Sequence, residues 1–132
     1  MVGVFMIPIN ELQAKIYQAL NELDIDVYDE VVEDAKMPLI AIGDYNFSAM
    51  DYKGDGFSFN WTLDIYTDYE GKKQVNELVS KAIECMQKIN GTNLGGNYLI
   101  DDVMPNEASV NRTEEYYVAN LNMKIDIIQE VF

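Results

Sequence analysis

Between residues 57 and 65 the chain alternates without a break. Phe57, Phe59, Trp61, Leu63 and Ile65 are apolar, and Ser58, Asn60, Thr62 and Asp64 between them are polar. Successive side chains of a strand point to opposite faces, so this run is two-faced as a strand and has no sided pattern as a helix. Such a strand needs hydrogen-bonding neighbours along its sides and apolar cover over one face, and the rest of the sequence must supply both. The preceding Asp51-Tyr52-Lys53-Gly54-Asp55-Gly56 is turn chemistry, which makes residues 45–50 the other arm of a long hairpin.

Cover comes from two stretches of helical period. Ile9, Leu12, Ile16, Leu20 and Leu23 recur at three- and four-residue steps. With Asn10 as N-cap and Gln13 as its capping-box partner, they predict a helix over about residues 10–22. Val75, Leu78, Val79, Ala82, Ile83, Met86 and Ile89 form a second stripe that stops at Gly91. Glu11 with Lys15, Glu77 with Lys81 and Glu84 with Lys88 are spaced to pair along the exposed sides.

Further strands follow from shorter signals. Residues 24–28 alternate, and residues 29–36 read as an acidic loop. Met37-Pro38 opens the apolar run Leu39-Ile40-Ala41-Ile42-Gly43, since proline does least harm at a strand's first residue. After a Gly/Asn-rich connector at 90–97, a strand at 98–104 is closed by Pro105 and a polar turn through Arg112. Tyr117, Ala119, Leu121, Met123, Ile125 and Ile127 then alternate to the end. The order is α-β-β-β-α-β-β, linked mostly by hairpins. It predicts an α+β fold: a mainly antiparallel sheet with two helices packed on one face, in a single domain over residues 1–132.

Charge narrows the function. Nine Lys and Arg stand against 23 Asp and Glu, a net charge of −14, yet 48% of the residues are apolar, so the chain has material for a core. Arg112 is the one arginine, and a chain so poor in cations is unsuited to gripping phosphates or an anionic membrane. The absence of histidine removes imidazole general bases and zinc ligands, and the lone Cys85 removes an internal disulfide. Cys85 falls within the second helical stripe and reads as a small buried apolar group. The apolar start, residues 1–9, is short and lacks a positive leading segment, so the expectation is cytosolic synthesis with idle sequons at Asn46, Asn60, Asn90 and Asn111.

The remaining motifs have plain explanations. Asp51-x-Lys53-x-Asp55-Gly56 begins like a calcium loop, but Lys53 and Thr62 stand where oxygen-rich ligands are required, so a hairpin tip is the expectation and no metal site is assigned. Gly91, Gly95 and Gly96 lack the lysine and the strand-to-helix setting of a phosphate loop. Asp101 and Asp102, as strand neighbours, point to opposite faces. Phe57, Phe59 and Trp61 lack the basic neighbours of a base-stacking platform and are assigned to the core. No cofactor is expected.

In sequence order, several segments resemble the phage tail terminator, or tail completion (tail-to-head joining), family. They are Leu12-Gln13 with Ile16-Tyr17 and Ala19-Leu20, then Val27-Tyr28-Asp29, then Met37-Pro38-Leu39-Ile40-Ala41-Ile42-Gly43-Asp44. Trp61-Thr62-Leu63-Asp64-Ile65-Tyr66-Thr67 and Glu70-Gly71-Lys72-Lys73-Gln74-Val75 continue the likeness. The resemblance implies a non-catalytic assembly protein of a virion tail or tail-like particle, put together in the bacterial host cytoplasm. It would form a ring of its own copies, expected to be a hexamer, that caps the tail tube and ends its growth. Its other partners would be the tube protein, a neck or connector protein and, in contractile tails, the sheath. DNA would pass through unbound, and an acidic ring suits such a conduit because its field repels polyanions.

Topology and side-chain chemistry nominate contact residues. Asp51, Tyr52, Lys53 and Asp55 at the hairpin tip are candidates for docking onto a neighbouring ring. Tyr66, Asp68, Tyr69 and Glu70, leading into the second helix, are candidates for subunit packing, since tyrosine gives contact area at low entropic cost. The alternative reading is a small regulatory or ligand-binding α+β domain whose helices and sheet enclose a pocket for an apolar or amine-bearing molecule. An enzyme restricted to carboxylate, tyrosine or lysine chemistry is the third.

Overall fold

The computed structural model describes residues 7–30, 34–50, 56–68 and 71–129. Helix α1 (Ile9–Leu20) passes through a 3-10 turn (Asn21–Leu23) into the short strand β1 (Asp26–Tyr28). The long strands β2 (Leu39–Ala49) and β3 (Gly56–Thr67) follow, then helix α2 (Lys73–Gln87), the short β4 (Asn93–Gly95), and the long β5 (Tyr98–Arg112) and β6 (Tyr117–Gln129). The six strands form one sheet in the order β1-β2-β3-β6-β5-β4. The fold is therefore α+β as expected, but the sheet is mixed, because β1 runs parallel to β2 while the other pairings are antiparallel.

The predicted alternation holds in β3, whose Phe59, Trp61, Leu63 and Ile65 are buried while Ser58, Asn60, Thr62 and Asp64 are half-exposed. β6 repeats the pattern from Tyr117 to Ile127 and pairs with β3 residue for residue from Gly56↔Ile128 to Thr67↔Tyr117. On the apolar face, Leu12, Ile16 and Leu20 of α1 and Val75, Leu78, Ala82 and Met86 of α2 join these strand residues in one cluster. Phe59 and Trp61 thus serve the core, as their lack of basic neighbours suggested.

Several local expectations are corrected. α1 starts at Ile9, one residue before the supposed cap Asn10, and no side chain caps it. Pro8 sits at the boundary, where its missing N–H costs nothing and its carbonyl accepts from the Leu12 N–H at 3.0 Å. None of the three i,i+4 ion pairs closes; Lys88 instead reaches Glu22, at 3.1 Å, tying the end of α2 to the turn after α1. The glycine-rich connector contains β4, which turns back into β5 through Gly95, Gly96 and Asn97, all at positive φ.

The largest correction concerns β5. Pro105 does not end it: the strand continues to Arg112, and the residues read as a polar turn pair with β6 as far as Arg112↔Tyr117. Two bulges interrupt that ladder, between Ile100 and Asp102 and between Pro105 and Glu107. β2 likewise joins two segments read separately, with one bulge between Ile42 and Tyr45. Each bulge inserts one residue and inverts the parity of the inward-facing side chains.

Candidate functional site

The eight nominated contact residues divide sharply. Asp51, Tyr52, Lys53, Asp55, Tyr69 and Glu70 lie outside the described residues. Asp68 is exposed just beyond β3. Tyr66 is half-buried near the end of β3, its ring edge-to-face with Tyr116 at 5.7 Å between centroids. Partial burial raises the Tyr66 phenol above its ordinary pKa, and the nearby Asp64 and Tyr116 push the same way. The structure thus brings Tyr66 to Tyr116, a contact that separation in sequence concealed.

The sheet's second face carries a lattice of amides. The Asn60 amide donates to Asn46 Oδ1 at 3.3 Å, and the Asn106 amide donates to Asn60 Oδ1 at 3.5 Å and Asn122 Oδ1 at 3.2 Å. The Asn122 amide reaches Thr62 Oγ1 at 3.4 Å, so the chain of contacts crosses β2, β3, β6 and β5. Asn106 can take part because the second β5 bulge leaves it without a ladder partner. Beside this lattice, Asn120 donates to Asp64 Oδ1 at 2.6 Å, and Lys124 lies 3.7 Å from Asp126. Asp64 and Asp126 outnumber Lys124 among these groups, and Asp126 Oδ1 lies buried without a hydrogen-bond partner among the described residues. Among the described residues, no three side chains converge as metal ligands would.

The outer halves of β2 and β5 are a second candidate surface. β1 covers β2 only at Leu39, Ile40 and Ala41. β4 covers β5 only at Tyr98 and Leu99, and Ile100 completes its outer bonds with Gly91 and Thr92. Beyond those points neither strand has an outer ladder partner among the described residues. Tyr45 and Phe47, on the apolar side of the bare β2 segment, are 42% and 39% exposed. Tyr45 stacks on the buried Trp61 at 4.4 Å, and Phe47 packs on Phe59 at 4.9 Å and edge-on to Phe57 at 5.7 Å. The aromatic row therefore continues outward from the core to the rim of the sheet. The sequence marks residues 45–50 as a hairpin arm but does not encode which strand lies on its other side, so the rim is not legible from it.

A groove of about 640 Å³ runs between α1 and the end of β1, with Gln13, Tyr17, Tyr28 and Asp29 along it. It is an open surface feature, whereas the space between helices and sheet is filled by Leu12, Ile16, Phe59, Trp61, Met86 and Met123. No helix of the described chain is long and apolar enough to cross a membrane.

Comparison with known proteins gives one kind of likeness. No protein-family model matches the chain, and no curated protein matches it in sequence. Among solved structures, the fold is similar to that of a chain in a structure titled "Virion of native gene transfer agent (GTA) particle". The TM-score is 0.70 at 19% sequence identity, over 89% of this chain and 94% of that one.

Proposed function

We propose that this chain is a structural component of a phage-like virion that caps the tail tube as a ring, ends tube growth and presents a surface to the neck or connector. The observation that carries the reading is the likeness of fold, over nearly the full length of both chains, to a chain of a gene transfer agent virion. The segmental resemblance to tail terminators narrows it to the tube's head-proximal end. The chemistry agrees in kind: an amide-rich sheet face, exposed aromatic rim and net charge of −14 suit assembly around a polyanion better than turnover of a substrate. The ring is expected to be a hexamer, with the tube protein, the neck protein and, in a contractile tail, the sheath as neighbours. The domain acts as one unit without a catalytic residue.

Electron microscopy of particles carrying a tagged copy tests the reading. Label at the head-proximal end of the tail, together with tubes of uncontrolled length when the gene is deleted, is the expected result. Label elsewhere in the particle, or tubes of normal length without the protein, would overturn it.

A further inference from the structure

We infer that copies of this chain join head to tail through their sheets, the bare outer half of β2 in one copy pairing with the bare outer half of β5 in the next. This rests on the ring reading above and names the contact that would build the ring.

Four observations support it. Exposed strand edges carry unpaired backbone donors and acceptors and are ready templates for another strand. Here two such segments without an outer ladder partner among the described residues, 42–49 and 102–112, border opposite sides of the same sheet. The long strands β2, β3, β6 and β5 alternate in direction, so β2 and β5 run opposite ways. A neighbour's β5 laid beside β2 therefore continues the antiparallel alternation, and each copy added leaves the same two kinds of edge for the next. That is a heterologous contact, the kind that closes into rings.

Side-chain size is complementary as well. On the apolar side, the β2 edge presents the large rings of Tyr45 and Phe47. The β5 edge presents the small Ala108 and Val110, opposite the buried Leu121 and Ala119 of β6. Charge agrees too: in a chain at −14, residues 42–49 carry only Asp44, and residues 102–112 carry only Asp102, Glu107 and Arg112. These are strips on which two copies can meet with little like-charge repulsion. The overall charge still opposes approach, so added salt should strengthen the association.

Sedimentation velocity on three forms tests the pairing. One variant, Phe47→Asp with Ser48→Asp, spoils the β2 edge, and another, Ala108→Asp with Ser109→Asp, spoils the β5 edge. Wild type is expected to form multi-copy species in raised salt, and each variant alone is expected to stay monomeric. A one-to-one mixture of the variants is expected to stop at dimers, since one intact edge of each kind remains. A β5-edge variant that dimerises alone would mean that β2 edges pair with each other. A β2-edge variant that assembles like wild type would place the contact elsewhere; both results overturn the inference while leaving the ring intact. Wild type that stays monomeric at high concentration and in salt also overturns it, and the virion role is then judged separately by the tagged-particle imaging. Hydrogen exchange of wild type, dilute against concentrated, needs no variant: amides in 42–49 and 102–112 should slow together, and unchanged exchange there would count against the pairing.

Discussion

β2 and β5 both border the sheet, and both run well past the short strand that covers them, yet their outer halves are built differently. β2 carries one bulge and then an exposed aromatic pair resting on Trp61, Phe59 and Phe57. β5 carries two bulges, Pro105 and a row of small or polar residues. Bulges and proline are the usual means of blunting an edge against unwanted pairing. One edge is thus stiffened by packing that reaches inward to the core, and the other is shaped by backbone irregularity that limits what can lie beside it. Edges that differ in this way can recognise each other without either recognising itself.

The largest test of this contrast strikes beneath the β2 rim. Trp61 is 1% exposed, so Trp61→Ala should cost about 3–5 kcal/mol in a denaturant titration. A loss under 1 kcal/mol would mean that the rim is not anchored in the core. Gly56→Ala should come next. A Cβ there would lie 2.7 Å from the Ile127 carbonyl oxygen, and backbone must move to admit it, at about 1–3 kcal/mol. Phe47→Ala removes a ring already partly in water and should cost about 1–2 kcal/mol, well below Phe59→Ala on the same row at about 3–5. Equal losses would erase the distinction between rim and core.

On the other border, Pro105→Ala should change stability by no more than about 0.5 kcal/mol. It restores a backbone donor to the edge and should increase self-association seen by light scattering; unchanged association would show that the proline does not guard that edge. The smallest effect belongs to Glu22→Gln. The hydrogen bond from Lys88 to Glu22, with its charge, raises the Lys88 pKa above the ordinary lysine value. Its small stabilisation is therefore present at neutral pH, below the unfolded value, and fades as pH rises through the folded one. The variant should melt slightly lower than wild type at neutral pH, the gap closing in salt and at high pH.

How much of this was legible in the sequence depends on where parity is regular. Phe57 to Ile65 keeps one parity against an equally regular β6, so strand, face and core could be read directly. In β2 the inward side chains switch from even numbers, Ile40 and Ile42, to odd ones, Tyr45 and Phe47, so a continuous strand looked like two pieces. In β5 the switch happens twice, from Ile100 to Val103 and again to Ala108 and Val110, with Pro105 between them. No period survives there, and the strand appeared to end. The parallel β1–β2 pairing depends on a tertiary contact that no local pattern encodes. Of the nominated contact residues, only Tyr66 and Asp68 can be placed, and the rim at Tyr45 and Phe47 became visible only with the strand order.

Cys85 lies buried on α2, where burial also holds its thiol above the ordinary pKa. Thiol reagents act on the thiolate of an accessible cysteine, so labelling of the native chain must wait for an opening that exposes this residue. The wild-type chain therefore contains its own clock for that opening, one thiol whose modification rate can be followed in the free protein and in the finished particle without adding a probe.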